Sequence, residues 1–303
     1  MKVLANRAIL TPSETPANRA VLRWLELAER AGLAGLAAPA VAIVGLLLVI
    51  PFAWLLLQSL RDVDGALSLA NYRALTDPLY RRAIATTLEV STIVAVGSIL
   101  IGYPVAYLLA QLPRRIAGLL TIGVLLPYWT STLVRTYAWM VLLQRNGVVN
   151  DWLVSHDFVA VPLALVNNLT GVVIGMLHVM TPVLIIPLYG AMKSVDPDLM
   201  RAAAACGATP AAAFRHVYLP RTLPGLAAGA VLVFVVSLGY YVTPALLGGG
   251  NVNVIAMQMQ TTLATEGDWG MVSALGVVLI ALAFVASTLL RAAVRAVTRM
   301  EDR

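Results

Sequence analysis

Residues 31–60 and 222–265 contain no charged side chain, and uncharged runs of that length leave few folds open. About 20 consecutive apolar residues in a helix cross the roughly 30 Å hydrocarbon core of a bilayer. Within that core every backbone N–H and C=O must find a partner inside the protein, which leaves helices and closed barrels. The runs here are uninterrupted and long enough for helical spans, so the expected fold is all-α and polytopic. Six spans follow: one within 31–60, then about 83–112, 116–143, 162–192, 223–247 and 269–290. The 222–265 run is too long for one crossing, and Gly248-Gly249-Gly250-Asn251 is expected to divide it, leaving a short polar-faced segment at 252–265. Pro104, Pro127, Pro182, Pro187, Gly239 and Pro244 fall inside the spans and predict kinks around a cavity. Composition agrees: 60% of residues are hydrophobic and 12% charged, with mean hydropathy +0.84, which excludes an ordinary soluble domain.

The basic residues give an orientation. With the N-terminus cytoplasmic, fifteen Lys and Arg fall on the cytoplasmic side and five (Arg61, Arg73, Arg81, Arg82, Arg145) outside, with Arg135 inside a span. The basic excess therefore needs no nucleic acid partner. Residues 1–30 read as a cytoplasmic tail ending in a short amphipathic helix at 20–30, and 31–303 as the transmembrane domain, with its core at about 83–292. The first run is too long, and lies too far from the start, for a cleavable signal. A lone cysteine, Cys206, makes no disulfide within the chain and no metal site by itself.

One segment between the spans, residues 194–221, is polar and punctuated by proline. Asp196 is a good N-cap with Pro197 at the first helical position, and Gly207 suits the residue just past a helix end. Thr209-Pro210 repeats the start pattern, and Pro220 is expected to stop a second short helix. Leu199, Ala202, Ala203 and Cys206 share one helical face whose small side chains allow close backbone approach, as a partner's groove requires. An ordinary amphipathic loop would carry much of the same pattern. The spacing of Ala202, Ala203, Gly207, Leu219 and Pro220 resembles the EAA loop of ABC importer permeases, which docks on the ATPase subunit; Arg201 stands where that family usually has Glu.

A second resemblance lies elsewhere in the chain. Pro127-Tyr128-Trp129-Thr130-Ser131-Thr132-Leu133-Val134-Arg135-Thr136-Tyr137-Ala138-Trp139-Met140, then Gly147-Val148-Val149-Asn150, looks like the third span of spermidine/putrescine-type permeases. Tyr241-Val242-Thr243-Pro244-Ala245-Leu246-Leu247-Gly248-Gly249 is similar to the end of their fifth span, and Asn71-Tyr72 with Asp77-Pro78-Leu79-Tyr80 also fits. Many relatives carry Asp or Glu where this chain has Tyr240.

Arg135, near the middle of an apolar span, reads as lining the translocation path and as held by Glu89 or by backbone carbonyls, two readings that are compatible. Tyr128, Trp129, Tyr137 and Trp139 either stack on a cationic amine or form an interfacial belt. Tyr240 and Tyr241 flank a break that would open onto a pore, while His178 reads as a packing or hydrogen-bonding residue. There is no P-loop, HExxH, CxxC or Gly-x-Ser-Gly, so catalysis is disfavoured. The resemblance implies a type I ABC importer permease (MetI-like) fold in a bacterial inner membrane, with both termini cytoplasmic. It also implies a second permease subunit, ABC ATPase subunits carrying the ATP and Mg, and a periplasmic binding protein, with no cofactor on this chain. The implied cargo is a polyamine or a related amine, opine or amino-acid-like solute. An ion-gradient-driven secondary transporter is the alternative.

Overall fold

A computed structural model describes the backbone of residues 16–62 and 65–301, and the side chains of Gly35 and of residues 38–62 and 65–292. The expected tail at 1–30 therefore lies largely outside the described residues. From Pro16 the backbone is already helical and runs unbroken as α1 (Pro16–Ser59), without a boundary near residue 30. The chain divides into two compact units, Met1–Trp54 and Leu55–Arg303. The first contributes most of the apolar helix at Ala38–Ser59.

The helices of the second unit, in order, are α2 (Ala70–Ala74), α3 (Pro78–Gln111), α4 (Arg114–Leu125), α5 (Thr132–Leu143), α6 (Val148–Ser155) and α7 (Leu169–Lys193). Then come α8 (Pro197–Ala205), α9 (Pro210–Ala213), α10 (Leu219–Leu238), α11 (Val242–Leu247), α12 (Ile255–Glu266) and α13 (Trp269–Glu301). With Ala38–Ser59, the helices α3, α7, Pro210–Leu238 and Trp269–Ala292 give five segments long and apolar enough to cross a membrane. A bent pair, 114–129 with 132–155, makes a sixth if it crosses once.

Local chemistry explains most boundaries. Asp77 caps α3 by accepting from the Leu79 N–H at 3.1 Å, with Pro78 at the first helical position. The helix stops at Leu112 because Pro113 drives the preceding residue to extended backbone. Asn168 caps α7 through the Gly171 N–H at 3.0 Å. The start of the fourth span is thus Leu169, later than the hydropathy suggests, since residues 159–168 form a loop.

The core is a three-helix packing of α3, α7 and α10, with α7 central. Val90, Val94 and Leu109 of α3 meet Met176, Met180, Leu184 and Leu188 of α7, and Val233 closes the cluster from α10. Between helices that are already in lipid, close packing rather than expulsion from water supplies the attraction, so small residues matter. Gly102 faces Leu184, Gly97 faces Leu177, and Gly229 lies against the Leu184 carbonyl. A Cβ on Gly175 would sit 2.6 Å from Leu247 Cδ1 and 2.8 Å from Thr243 Cγ2, where α7 meets α11. Gly175→Val is accordingly expected to destabilise the purified protein by about 1–3 kcal/mol through overpacking, read as a lower unfolding midpoint at normal membrane insertion. An unchanged midpoint would mean that this contact is loose.

Two spans break near residues expected to kink them, the fifth ending earlier than hydropathy gives, and one expected helix stop is absent. The third span is not one rod: α4 passes through a 3₁₀ turn (Leu126–Trp129), bends by 95° at Thr130 and Ser131, and resumes as α5. The fifth span ends at Leu238, and residues 242–247 form the separate helix α11 beyond a break at Gly239–Tyr241. Pro220 does not stop a second short helix. The chain runs from α9 through a π-helical turn (Phe214–Tyr218) into α10, and the Leu219 N–H donates to the Phe214 carbonyl five residues back. The wider turn moves the backbone away from the proline ring, which in a regular helix would strike the carbonyl four residues earlier. Of the residues expected to kink the spans, Pro127 and Gly239 sit at breaks, whereas α3 and α7 run on through Pro104, Pro182 and Pro187.

Candidate functional site

Two places concentrate the candidate residues: the loop at 194–221 and the pair of broken spans. In the loop, Asp196 accepts from the Asp198 N–H at 2.9 Å and Thr209 from the Ala212 N–H at 3.3 Å, so both expected caps form. The end of α8 is a complete Schellman motif. The Ala208 N–H donates to the Ala203 carbonyl and the Gly207 N–H to the Ala204 carbonyl, with Gly207 in the left-handed region at φ +82°. No residue of α8 is fully buried. Leu199 and Ala203 are half-covered, while Ala202, Cys206 and Gly207 are exposed. Met200 packs inward on the core cluster, which holds the helix down with its small-residue face largely free. Arg201 pairs with Asp198 at 2.7 Å, but both side chains are well exposed, so the pair stabilises little. Pro220 is half-buried in the first turn of α10.

At the bend of the third span the Pro127 carbonyl gathers three donors. The Thr130 hydroxyl reaches it at 2.7 Å, the Thr130 N–H at 3.3 Å, and the Arg135 guanidinium also donates to it. Arg135 is 8% exposed and adds a 3.3 Å contact to the Thr132 hydroxyl, and its Nε has no partner. It therefore stands at the start of α5, just past the bend and near the middle of the bent pair. No ion pair joins it to Glu89, whose side chain is exposed on α3. Of the partners open in the sequence, the structure shows a backbone carbonyl, that of Pro127, and not Glu89; a place on the path is compatible with this contact.

The aromatic candidates separate. Trp139 is half-buried, and its indole N–H donates to His178 Nδ1 at 2.9 Å, the rings meeting edge-on at 5.5 Å. An indole nitrogen only donates, so Nδ1 is the acceptor and the imidazole proton lies on Nε2. A cleft of about 510 Å³ opens beside this pair, lined by Val105, Val124, Pro127, Trp139, His178 and Thr181. Tyr128 and Tyr137 are exposed, and Trp129 is 89% exposed. Tyr240 packs on the core at the second break and Tyr241 beside it is exposed. Contact between α5 and α11 brings the two broken segments together; Glu89 and the Tyr240–Tyr241 pair do not line the cleft. Among the described residues no group of three or more His, Cys, Asp or Glu could hold a metal ion.

Several polar residues of the motifs turn out to be staples. Buried Asn71 donates to the Ser59 carbonyl at 3.0 Å and the Arg61 carbonyl at 2.8 Å. Buried Asn150 donates to Gln144 and Leu163 carbonyls and accepts the Leu163 N–H at 2.8 Å. Thr87, not singled out in the sequence, accepts the first N–H of α12 (Ile255) at 2.8 Å, satisfying a buried helix end from α3. Its only sequence cue is a hydroxyl inside an apolar run.

The family model described as "Binding-protein-dependent transport system inner membrane component" matches residues 33–299. The spermidine/putrescine transport system permease protein PotB of Haemophilus influenzae is 31% identical over 235 residues, covering 76% of this chain and 82% of that one. PotB of Escherichia coli K12 is 29% identical over 223 residues, covering 74% and 81%. A chain from a bacterial alginate ABC transporter, crystallised with an alginate pentasaccharide-bound periplasmic protein, superposes with a TM-score of 0.70 at 18% identity, covering 91% of this chain and 98% of that one. At that identity the likeness speaks to the fold alone. The all-helical fold, its apolar spans and the match over nearly the whole chain agree: the protein belongs to the family of inner-membrane components of binding-protein-dependent transport systems, and is a multi-pass permease.

Proposed function

We propose that the chain is the permease of an ATP-driven importer of a polyamine or a closely related small amine. It would work with ABC ATPase subunits, a second permease subunit and a periplasmic binding protein. The observation that carries the substrate class is the 31% identity to a permease named for spermidine and putrescine. The placement of Arg135 supports it. A bare cation facing the path would repel a polyamine and favour a carboxylate or phosphonate, but this guanidinium is buried on backbone carbonyl oxygen. Glu89 remains an exposed carboxylate, and Tyr128, Tyr137 and Tyr241 are exposed rings able to meet an ammonium group. Membership of a binding-protein-dependent family leaves ion-gradient coupling without support. The chain itself catalyses no covalent step and carries no cofactor; ATP and Mg belong to the ATPase. Thermal-shift screening of the cognate binding protein is expected to show stabilisation by putrescine or spermidine. A screen answered only by anionic solutes would overturn the substrate class.

The same proposal places both termini and the 194–221 loop in the cytoplasm. The positive-inside bias requires the bent pair to cross the bilayer once. Were it a re-entrant loop, α7 would run the other way and carry Lys193, Arg201, Arg215 and Arg221 outside. Reporter fusions at residues 20, 114, 205 and 298 are expected to read cytoplasm, and those at 70, 155 and 258 the outer side. A cytoplasmic reading at 155 would mean that the bent pair returns to the side it entered from.

A further inference from the structure

We propose that the π-helical turn at Phe214–Tyr218, gripped by Tyr103 and Tyr107 of α3, is the joint through which movement of α8 reaches the spans. The inference rests on reading the 194–221 loop, like the EAA loop it resembles, as the segment that docks on the ATPase and couples it to the spans. Three observations converge on the turn. First, α9, the turn and α10 form one continuous helical path, so a displacement at Pro210 is carried into a core span without passing a flexible link. Second, the turn presents its two rings to α3. Phe214 meets Tyr103 edge-on at 6.3 Å and Tyr107 at 5.6 Å, Tyr218 meets Tyr107 at 5.4 Å, and Phe214 and Tyr218 stack at 5.7 Å. The Tyr103 hydroxyl adds a 3.1 Å hydrogen bond to Thr222 in the first turn of α10. Third, α8 leans on the same assembly: Met200 packs on the cluster that holds Tyr218 and Leu109, and α8 touches the turn itself; just before α8, Val195 joins the cluster and Lys193, at the end of α7, donates from Nζ to the Ala110 carbonyl at 2.9 Å.

A π-turn holds one residue more than the same length of α-helix, so it has two discrete forms. Losing the extra residue from the turn rotates everything before it by about 100° and moves it about 1.5 Å relative to α10. In the present turn both rings face α3; α-helical winding keeps Phe214 and Tyr218 on one face as i, i+4 neighbours but turns one ring relative to the other, so the contacts with Tyr103 and Tyr107 must reseat. The Tyr218 hydroxyl, buried near Gln111, makes no hydrogen bond of good geometry and does little to fix the present register. Packed rings with two alternative seatings are the kind of bistable element through which a coupling signal passes. The competing explanation is that the turn merely accommodates Pro220, whose ring needs room at the His216 carbonyl.

The test uses the permease co-expressed with its ATPase and reconstituted in vesicles. Deleting the exposed His216 should convert the turn to α-helix. The expected result is that the ATPase still co-purifies and hydrolyses ATP, while uptake falls at least tenfold. Spin labels are placed at Ala204→Cys, exposed and off the face formed by Leu199, Ala202, Ala203 and Cys206, and at Arg114→Cys, in a Cys206→Ser background. The distance between the labels should change on trapping the ATP-bound state in the parent and stay fixed in the deletion variant. Normal uptake by the deletion variant overturns the proposal. So does recovery of uptake when Pro220→Ala is added, which would show that the turn only houses the proline. If the deletion variant does not assemble, Phe214→Leu and Tyr107→Leu decide: strongly reduced, non-additive uptake supports the joint, and normal uptake overturns it. Failure of the unmodified permease to bind any ATPase would instead refute the coupling role of the loop.

Discussion

Gly207→Val is expected to abolish transport and weaken retention of the ATPase while leaving membrane insertion intact. Gly207 sits at φ +82° as the residue that turns the chain out of α8, and the two Schellman hydrogen bonds to Ala203 and Ala204 depend on that conformation. An added Cβ there meets no atom within 4 Å, so the penalty comes from the backbone and not from crowding. An ordinary L-residue in the left-handed region costs about 1–2 kcal/mol, and a β-branched one more. That exceeds what a two-and-a-half-turn surface helix with no fully buried residue can absorb. The last turn of α8 should therefore fray and carry Ala203 out of position. A graded series separates this cause from others: Gly207→Asn should retain most activity, because Asn tolerates the left-handed region, Gly207→Ala should be intermediate, and Gly207→Val inactive. Uptake in vesicles and ATPase co-purification read the result. Normal transport by the valine variant would remove the basis for calling the segment a coupling loop.

The features legible in the sequence were those set by near neighbours along the chain. Asp196, Pro197, Gly207, Thr209 and Pro210 dictate caps and turns within four residues of themselves, and each does so here. Uncharged run length likewise gives the number of crossings to within the bent pair. What failed were positions whose effect depends on where a distant or displaced backbone atom lies. Pro220 reads as a stop because a regular helix would bring its ring against the carbonyl of His216; the π-turn removes that clash without ending the helix. In the third span Pro127 marks the break in advance, but the size of the bend, with Thr130 and Ser131 in extended backbone between two helices, is not set by hydropathy. The same limit applies to the polar residues. Asn71 and Asn150 carry the family resemblance, yet their side chains are spent on loop carbonyls, a role invisible without the fold.

Arg135 makes the strongest case of this kind, and its replacement is the second large effect. Arg135→Leu is expected to lower the yield of assembled, folded permease, without altering substrate choice in the fraction that survives. A hydrogen bond from a charged donor contributes about 1.5–3 kcal/mol net, and this one ties the first turn of α5 back across a 95° bend to the Pro127 carbonyl. Relief from burying a cation offsets part of that loss, but leucine supplies nothing to hold the two arms of the bend together. Arg135→Lys keeps the charge and can reach one acceptor, yet loses the fork that also approaches the Thr132 hydroxyl; its defect should be intermediate. The partners decide the interpretation. Thr130 and Arg135 serve the same carbonyl oxygen, so Thr130→Val and Arg135→Leu should be non-additive by more than about 0.5 kcal/mol in denaturation of the purified permease. Glu89→Gln should add to Arg135→Leu within that margin, because the two side chains form no ion pair. A variant that assembles normally, hydrolyses ATP and fails to transport would place Arg135 in the path after all. It would return a fixed cation to the electrostatics of the cavity, and the substrate class would then shift from amines towards anions.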